Sequence, residues 1–518
     1  MSFHNDMVGD IDSLFVDDGC FEDRNLVFDS IPVEYGIEDT LALVERESVL
    51  EGRRRFLCFF LHRHLSFRLA EFQSVAEHVY KKSKGMDGLP IVVWEKPAEG
   101  LVASSFWYFH IPDEQGEAVA MARLLANKCF LVRCILDVWG EGLTMKDLHE
   151  QVGSYNPDEK DAYSTESFKL QVEGWGVTLT QEQKVSIINS FSESLGELKG
   201  PIRLKDPQNT FWVIVARPSR NSMVANVRPW YCLGREVAVN QTKFGILDTY
   251  DLKKRRYLGP TSMDAELAFL MSNMCHVHKS SLVIDPFVGT GGLLIPAAAL
   301  GAVTMGIDID IRVIKIGKKD KKARPVNVWT NFEDYGLMAP VGLLRADIVR
   351  NPFRDGLGDM FHAILADPPY GVRAGGRKSK CEPDMLIRSR DDHIAGTSPY
   401  PLAECLQDLL DWAAKVLVIG GRLGYWIPCL PDSGSEELPV HPNLVLKYNC
   451  EQVLGGRYNR RLIVMEKVNA YDEHVVEKYF TENPHPIKMA IDDLWDVVYS
   501  PADPNSKNKQ TTFRSKNV

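Results

Sequence analysis

The chain is 518 residues long, which exceeds what one hydrophobic core usually supports and predicts two or three domains. Its composition, 45% hydrophobic and 25% charged, is that of a globular protein, and no apolar run approaches the ~18 residues of a membrane span. The net charge of −10 is unevenly placed, because residues 1–48 hold thirteen acidic and two basic side chains. The rest of the chain is nearly neutral, so the overall charge does not exclude binding to a nucleic acid.

The N-terminal residues and the cysteines indicate the cellular compartment. The first residues form neither a basic nor a hydrophobic segment, so no signal peptide is predicted. The ten cysteines include no C-x-x-C pair, which predicts reduced thiols, no metal site and a cytoplasmic protein. We expect residues 1–50 to form an acidic, largely disordered leader, although Leu14, Phe15, Val16 and Phe28 could anchor a short docking segment.

Residues 55–220 are predicted to form a mixed α+β domain. Apolar runs such as 56–60 and 129–139 have the pattern of strands, and helix-like stretches lie between them. The stretch 61–69, which carries Arg and His, resembles a THUMP-type tRNA-binding domain when taken with residues 167–169. An ordinary α+β domain with a basic surface helix fits the same residues, so both interpretations stay open.

Residues 221–260 are predicted to be a basic connector, and a second domain is predicted over 261–470. The bases of the connector form either a solvated face or a surface that contacts RNA, and the candidates for RNA contacts are Arg228, Arg255 and Arg256. Ser262 is the predicted N-cap of the helix that opens the second domain.

A glycine-rich turn is the first candidate binding site of this second domain. Residues 285–292 read Asp-Pro-Phe-Val-Gly-Thr-Gly-Gly; they follow a short apolar strand and open a helix, and a second strand ends at Asp308. This β-α-β pattern is typical of a Rossmann-like sheet. The turn lacks both the Lys-Ser/Thr of a P-loop and the G-x-G-x-x-G spacing of dinucleotide-binding proteins, so it is not predicted to hold a phosphate.

A ligand with an amino-acid head and an adenosine fits such a turn, and S-adenosylmethionine has both. The candidate residues are Asp285, Phe287, Gly289 and Gly291 for the methionine end and Asp308 for the ribose hydroxyls. A turn required only by the backbone is the alternative interpretation.

Further candidates lie between the second strand and the end of the chain. Residues 315–324 carry six basic side chains and are predicted to form an exposed basic helix and loop, which either stays solvated or contacts tRNA. Asp347 follows a third predicted strand, 341–346, and is the candidate residue for the adenine amine. The loop 371–399 is predicted to be a mobile lid whose Arg373, Arg377 and Lys378 contact RNA. Residues 471–518 are predicted to be a C-terminal extension, disordered from about 501.

The motif Asp367-Pro368-Pro369-Tyr370 follows a fourth apolar strand, 361–366. Two consecutive prolines can neither donate to a β-ladder nor continue a helix, so the strand must end and the backbone is stiffly directed. An exocyclic amine on a flat base is a poor nucleophile, because its lone pair is delocalised into the ring. Hydrogen bonds to Asp367 and to the Pro368 carbonyl would localise that lone pair, and Tyr370 could stack on the base. A simple turn after a strand is the alternative.

Taken in order, these motifs resemble the class I methyltransferases that act on exocyclic amines. The fold class predicted is therefore an α/β Rossmann-like class I methyltransferase domain preceded by an α+β THUMP-like tRNA-binding domain. The resemblance narrows, over roughly residues 55–470, to the catalytic subunits of tRNA (guanine-10 N2)-methyltransferases, and it is carried by residues 252–263, 285–292, 367–373, 420–428 and 439–444. It implies N2-methylguanosine at position 10 of tRNA as product, S-adenosylmethionine as cofactor and a small zinc-binding activator subunit as partner.

Two further expectations accompany this resemblance. The usual strand order of such methyltransferases places the third strand, 341–346, at the edge of the sheet, where the activator could add a strand. Methylation of DNA adenine or of a protein glutamine uses the same local chemistry and is the alternative activity. A non-catalytic RNA-binding protein is disfavoured, because it would be expected to have lost the glycine-rich turn or the Asp-Pro-Pro-Tyr motif.

Overall fold

The computed structural model describes residues 50–84, 90–95, 104–217, 229–240, 242–350, 352–354, 358–369, 376–379, 397–430, 438–454 and 458–483. The predictions for the acidic leader, for Arg228, Tyr370 and Arg373, and for the chain beyond 483 lie outside these residues. None of the helices in the described part combines the length and apolarity that a bilayer crossing requires.

The first domain is built on a seven-stranded, mostly antiparallel sheet. Its elements are β1 (Arg53–Phe60), α1 (Arg68–Lys84), β2 (Val93–Glu95), β3 (Phe106–Pro112), α2 (Ala118–Lys128), β4 (Val132–Gly142), α3 (Met145–Ser154), α4 (Pro157–Asp161), β5 (Phe168–Trp175), α5 (Gln181–Ser190), β6 (Asn209–Ala216) and β7 (Trp230–Val239). The strand order is β2-β3-β1-β4-β7-β6-β5. Alternation along β1 sends Phe56 and Phe60 into one apolar cluster and Leu57 and Phe59 into another, so the sheet is covered on both faces.

The stretch predicted as a connector belongs in part to this sheet. Strand β7 lies between β4 and β6, pairs antiparallel with both, and is buried over most of its length. The first domain therefore extends to Val239, beyond the boundary expected at 220. Only α6 (Thr242–Thr249) and a short turn, Leu252–Lys254, separate it from the second domain.

The second domain has a seven-stranded sheet of the Rossmann-like kind. Its elements are α7 (Ala265–Met274), β8 (Leu282–Asp285), α8 (Leu294–Ala299), β9 (Val303–Asp308), β10 (Lys318–Lys319), β11 (Pro325–Val326), α9 (Val328–Asp334), β12 (Gly342–Arg345), β13 (Phe361–Ala366), β14 (Arg377–Ser379), β15 (Thr397–Pro399), α10 (Leu402–Val416), β16 (Leu417–Cys429), β17 (Leu444–Gln452), β18 (Asn459–Lys467) and α11 (Glu473–Glu482). The order is β12-β9-β8-β13-β16-β18-β17, parallel from β12 to β16 and antiparallel beyond. Strand β12 thus lies at an edge, as predicted, and β9 is its only partner among the described residues.

The basic helix predicted over 315–324 is not present. A single π-helical turn, Arg312–Ile316, ends at Gly317, whose φ of 69° stops the helix, and the two-stranded hairpin β10–β11 follows. The Asp320 carboxylate accepts the backbone amides of Lys322 and Arg324, which stabilises the hairpin turn. The basic side chains are exposed as expected, but on a hairpin.

Candidate active site

Four carboxylates follow the C-terminal ends of neighbouring strands. Asp285 ends β8 and Asp308 ends β9, while Asp347 and Asp367 come just after β12 and β13. The register places Gly306 opposite Asp285 and Asp308 opposite Arg345, so these strand ends lie side by side. At this edge of an open α/β sheet ligands usually bind.

Asp308 organises the glycine-rich turn after β8. Its Oδ2 accepts the amide of Gly289 at 2.9 Å and its Oδ1 accepts the amide of Asp310 at 2.8 Å. Gly289 and Gly291 have φ angles of 49° and 80°, which side chains rarely adopt, and a Cβ on Gly291 would come within 2.9 Å of Val328. The turn therefore depends on glycine both for its backbone conformation and for its packing.

The acids at this edge are held in an environment that disfavours negative charge. Burial raises the pKa of Asp285 well above its usual range, and the nearby carboxylates of Asp367 and Asp308 raise it further, against the opposing effect of the Phe287 amide. Burial also raises the pKa of Asp308, although the amides of Asp310 and Gly289 stabilise its charged form. A cationic ligand would relieve this arrangement.

Asp347 connects the sheet edge to the hairpin β14–β15. Its Oδ1 accepts the amide of Val349 at 3.1 Å, and its Oδ2 accepts the amide of Ser379 at 2.7 Å. A carboxylate has about four acceptor positions, so Asp347 can still accept a hydrogen bond from a ligand amine. The described part of the predicted lid is a hairpin, and the hydrogen bond from Ser379 to Asp347 attaches it to the site.

Strand β13 ends at Ala366, and the motif residues Asp367, Pro368 and Pro369 follow it directly. Pro368 is buried, whereas Asp367 and Pro369 are half-buried at the sheet edge. Strand β13 pairs in parallel with β8, which ends at Asp285, so this motif lies beside the glycine-rich turn. Tyr370 lies outside the described residues, so its stacking role stays a prediction.

The segment that precedes the second domain packs against the same turn. The side chain of Asn331, which is fully buried on α9, accepts the amide of Tyr257 at 3.0 Å and donates to the carbonyls of Tyr257 and Thr290. The Ser262 hydroxyl lies 3.2 Å from that of Thr290, and Asp264 rather than Ser262 caps α7. Sequence reasoning missed Asn331, because a single Asn in a short amphipathic helix gives no signal of its long-range partners.

The basic residues expected to contact RNA fall into different environments. Arg256 is partly exposed and paired with Asp334, and Lys378 is paired with Glu404. Arg377, on the same hairpin as Lys378, is exposed. Arg255 is buried at 5% exposure, which corrects the expectation that it lies on a surface open to RNA.

Two protein-family models match the chain. One, described as the Tmrp11 THUMP N-terminal domain, matches residues 54–242, and the other, described as RMKL-like, methyltransferase domain, matches residues 253–383. Together with the Rossmann-like sheet and its acidic edge, these matches define a methyltransferase that carries an N-terminal THUMP domain.

Relatives that match more than 80% of the chain identify the family within this class of methyltransferases. The chain is 34% identical over 445 residues to the tRNA (guanine(10)-N(2))-methyltransferase TRMT11 of Gallus gallus, a match that covers 83% of this chain and 92% of that protein. The Homo sapiens protein of the same name is 33% identical over 449 residues, covering 82% and 92%. That of Dictyostelium discoideum is 31% identical over 450 residues, covering 82% and 84%. The chain belongs to the TRMT11 family of tRNA (guanine(10)-N(2))-methyltransferases.

Proposed function

We propose that the protein transfers a methyl group from S-adenosylmethionine to the exocyclic N2 amine of guanine at position 10 of tRNA. The observation that carries this proposal is the position of Asp367 and Pro368, at the end of β13 and beside the glycine-rich turn. Family membership supports the choice of tRNA over DNA or protein as the substrate.

The residues of the sheet edge fit this cofactor. Asp308, held by two backbone amides, accepts hydrogen bonds from the ribose hydroxyls, and Asp347 accepts one from the adenine amine. Asp285, Phe287, Gly289 and Gly291 surround the methionine end. The carboxylates whose pKa values burial raises fit a ligand that carries positive charge. When bound, the cofactor supplies an electrophilic methyl group on its sulfonium.

The motif after β13 activates the amine. The target base leaves its stack to reach the sheet edge, which costs a few kcal/mol. Asp367 and the Pro368 carbonyl then accept the two N–H groups of the amine, so its lone pair is directed toward the methyl group. Asp367 takes the proton that the methylated nitrogen releases, and Tyr370 is expected to stack on the base. Positioning and exclusion of water account for most of the rate.

The first domain binds the tRNA, and strand β12 at the open edge of the second sheet binds another protein chain. The THUMP match over residues 54–242 supports the RNA-binding role. Exposed Arg377 and partly exposed Arg256 and Lys378, with Arg228 and Arg373, would contact phosphates near the site. A small zinc-binding activator subunit is proposed to pair with β12. We also propose a cytoplasmic location for the protein.

Methyl transfer to defined tRNA transcripts tests this function. The protein, with and without the small subunit, is incubated with methyl-labelled cofactor and a transcript that carries either guanosine or inosine at position 10, since inosine lacks the N2 amine. We expect label in the guanosine transcript alone. Equal labelling of both transcripts, or labelling only of DNA or protein pools, would contradict the proposal.

A further inference from the structure

Arg255 directly follows the short turn Leu252–Lys254 that connects the two domains, and it lies beside the glycine-rich turn. It is 5% exposed, and none of its three guanidinium nitrogens makes a well-formed hydrogen bond to the described residues. Its Nη1 lies 3.9 Å from the point where a Cβ on Gly292 would sit, and the amide nitrogen of Met263 lies 3.7 Å from the same point. The guanidinium therefore borders the turn that is proposed to bind the methionine end of the cofactor.

A buried guanidinium without acceptors is costly, and arginines in protein interiors are normally paired. Burial lowers the pKa of Arg255, and neighbouring Tyr335 and Asp264 offset this only in part. The Tyr335 hydroxyl is close enough to Arg255 to stabilise the guanidinium, but neither group makes a hydrogen bond of good geometry in the described residues. The fold thus keeps a buried guanidinium next to the candidate cofactor site with no carboxylate hydrogen-bonded to it among the described residues.

The chemistry of the site identifies that acceptor. Asp285, Asp308, Asp347 and Asp367 supply negative charge at the sheet edge and suit the cationic and hydroxyl groups of the cofactor, but none of them can bind an anion. S-Adenosylmethionine carries one anionic group, its α-carboxylate, at the end that meets the glycine-rich turn. A guanidinium binds a carboxylate through two parallel N–H···O bonds, which are among the stronger hydrogen bonds in proteins.

We propose that Arg255 binds the α-carboxylate of the cofactor's methionine part; this inference rests on the proposed function. Arg255 is then a cofactor-binding residue.

Binding of two ligands that differ only in this carboxylate tests the assignment without any turnover. The full chain is titrated by calorimetry with S-adenosylmethionine and with decarboxylated S-adenosylmethionine. The variants are Arg255→Met, which keeps length but removes charge and donors, and Arg256→Met as the matched control, since Arg256 is paired with Asp334 on the surface.

We expect wild type and Arg256→Met to prefer the carboxylated ligand by roughly ten- to a hundredfold, the range for a charged hydrogen bond. In Arg255→Met this preference should fall to within about twofold, while affinity for the decarboxylated ligand is retained. Ligand-free Arg255→Met should unfold at the same or a higher denaturant concentration, because an unpaired buried charge has been removed.

The titrations separate a failure of the proposed function from a failure of the role assigned to Arg255. Absence of binding of either ligand to wild type would contradict the proposed function itself. Two results would overturn the role of Arg255 alone, provided that wild type binds the cofactor. One is a preference for the carboxylated ligand that survives in Arg255→Met, and the other is an equal loss of affinity for both ligands in that variant. If Arg255→Met does not fold, Arg255→Lys decides: a preference reduced by about tenfold supports the proposal, because the paired geometry is lost, and an unchanged preference refutes it.

Discussion

The guanidinium of Arg422, on β16 of the second domain, donates to the carboxylate of Glu77, on α1 of the first domain, across 2.8 Å. Arg422 is completely buried, and it also donates to Ser74, to the carbonyl of Met274 and to Glu466 at 2.9–3.0 Å. One side chain therefore satisfies acceptors from both domains. A single apolar cluster also runs through both, so the THUMP and methyltransferase domains share one interior.

Arg422→Met should lower the free energy of unfolding by about 3–5 kcal/mol, because it leaves the largely buried carboxylates of Glu77 and Glu466 without their partner. Urea denaturation followed by fluorescence measures this change. The control is Arg324→Met: the Arg324 side chain is 54% exposed, and the loss of its pair with Asp320 should cost under about 1 kcal/mol. Similar losses in the two variants would mean that the buried network contributes no more than a surface ion pair.

Buried charges also decided which parts of the fold were predictable from the sequence. Strands β8, β9 and β13 were identified because each is a short apolar run followed at once by polar residues. Strand β7 was missed because Arg235 interrupts its apolar pattern among turn signals. In the structure Arg235 is buried against Asp137, 98 residues away, at 3.4 Å. A sequence pattern does not show that a distant partner neutralises a charge.

The site residues also divide into those that the sequence predicts and those that it does not. The acids at the sheet edge were predictable because parallel strands bring their C-terminal ends together, whatever the details of packing. The environment of Arg255 was not, because its sequence neighbours are basic and a basic run normally lies on the surface. In the structure Arg255 is only 5% exposed, and its Nη1 lies close to Gly292.

Asp367→Ala should abolish methyl transfer and leave cofactor affinity within a few-fold of wild type. The reason is that Asp367 is proposed to act on the amine of the base, whereas the cofactor is held by groups on β8, β9 and β12. Methyl-labelled cofactor with unmodified tRNA measures the first quantity, and calorimetry measures the second. An Asp367→Ala variant that still methylates tRNA would rule out this mechanism.

Asp308→Ala should weaken cofactor binding by about 1.5–3 kcal/mol, the range for hydrogen bonds to a charged group. It also removes the acceptor of the Gly289 amide, so the glycine-rich turn loses support. Asp310→Ala is the matched control, since the Asp310 side chain is paired with Arg312. Equal affinities of the two variants by calorimetry would refute the placement of Asp308.

The raised pKa of Asp285 predicts a pH-dependent stability in the absence of cofactor. Because burial raises the pKa above its usual value of 3.8, the native state binds more protons than the unfolded state at any pH between the two values. The free energy of unfolding contributed by this group therefore falls as pH rises through that range, by ~1.4 kcal/mol for each pKa unit. Asp285→Asn removes the titration and keeps an acceptor for the Phe287 amide.

Denaturant unfolding of wild type and Asp285→Asn at pH 5 and pH 8 checks this prediction. The stability gained by the variant should be larger at pH 8 than at pH 5. A gain that is the same at both pH values would show that Asp285 is ionised in the native state throughout.

The last prediction concerns strand β12 at the open edge of the second sheet. Val341, 63% exposed, donates its amide to the carbonyl of Thr304. In a parallel ladder the next amide, that of Gly342, points to the other side, away from β9. Gly342→Pro therefore removes a donor that is available to an added strand while leaving the bonds to β9 in place. A Cβ at this position meets only an ordinary contact, 3.5 Å from Met305.

We expect Gly342→Pro to weaken association with the small activator subunit and to lower solubility, while cofactor affinity in the remaining soluble complex changes little. Leu343→Pro is the matched contrast, because its amide faces β9, which carries Asp308, so this variant should also lose cofactor affinity. Co-purification measures the first effect and calorimetry the second. A homodimer through the same edge would appear as a change in the chain's own oligomeric state. Undiminished co-purification of the Gly342→Pro variant would place the partner elsewhere, because pairing at this edge requires the amide that proline lacks.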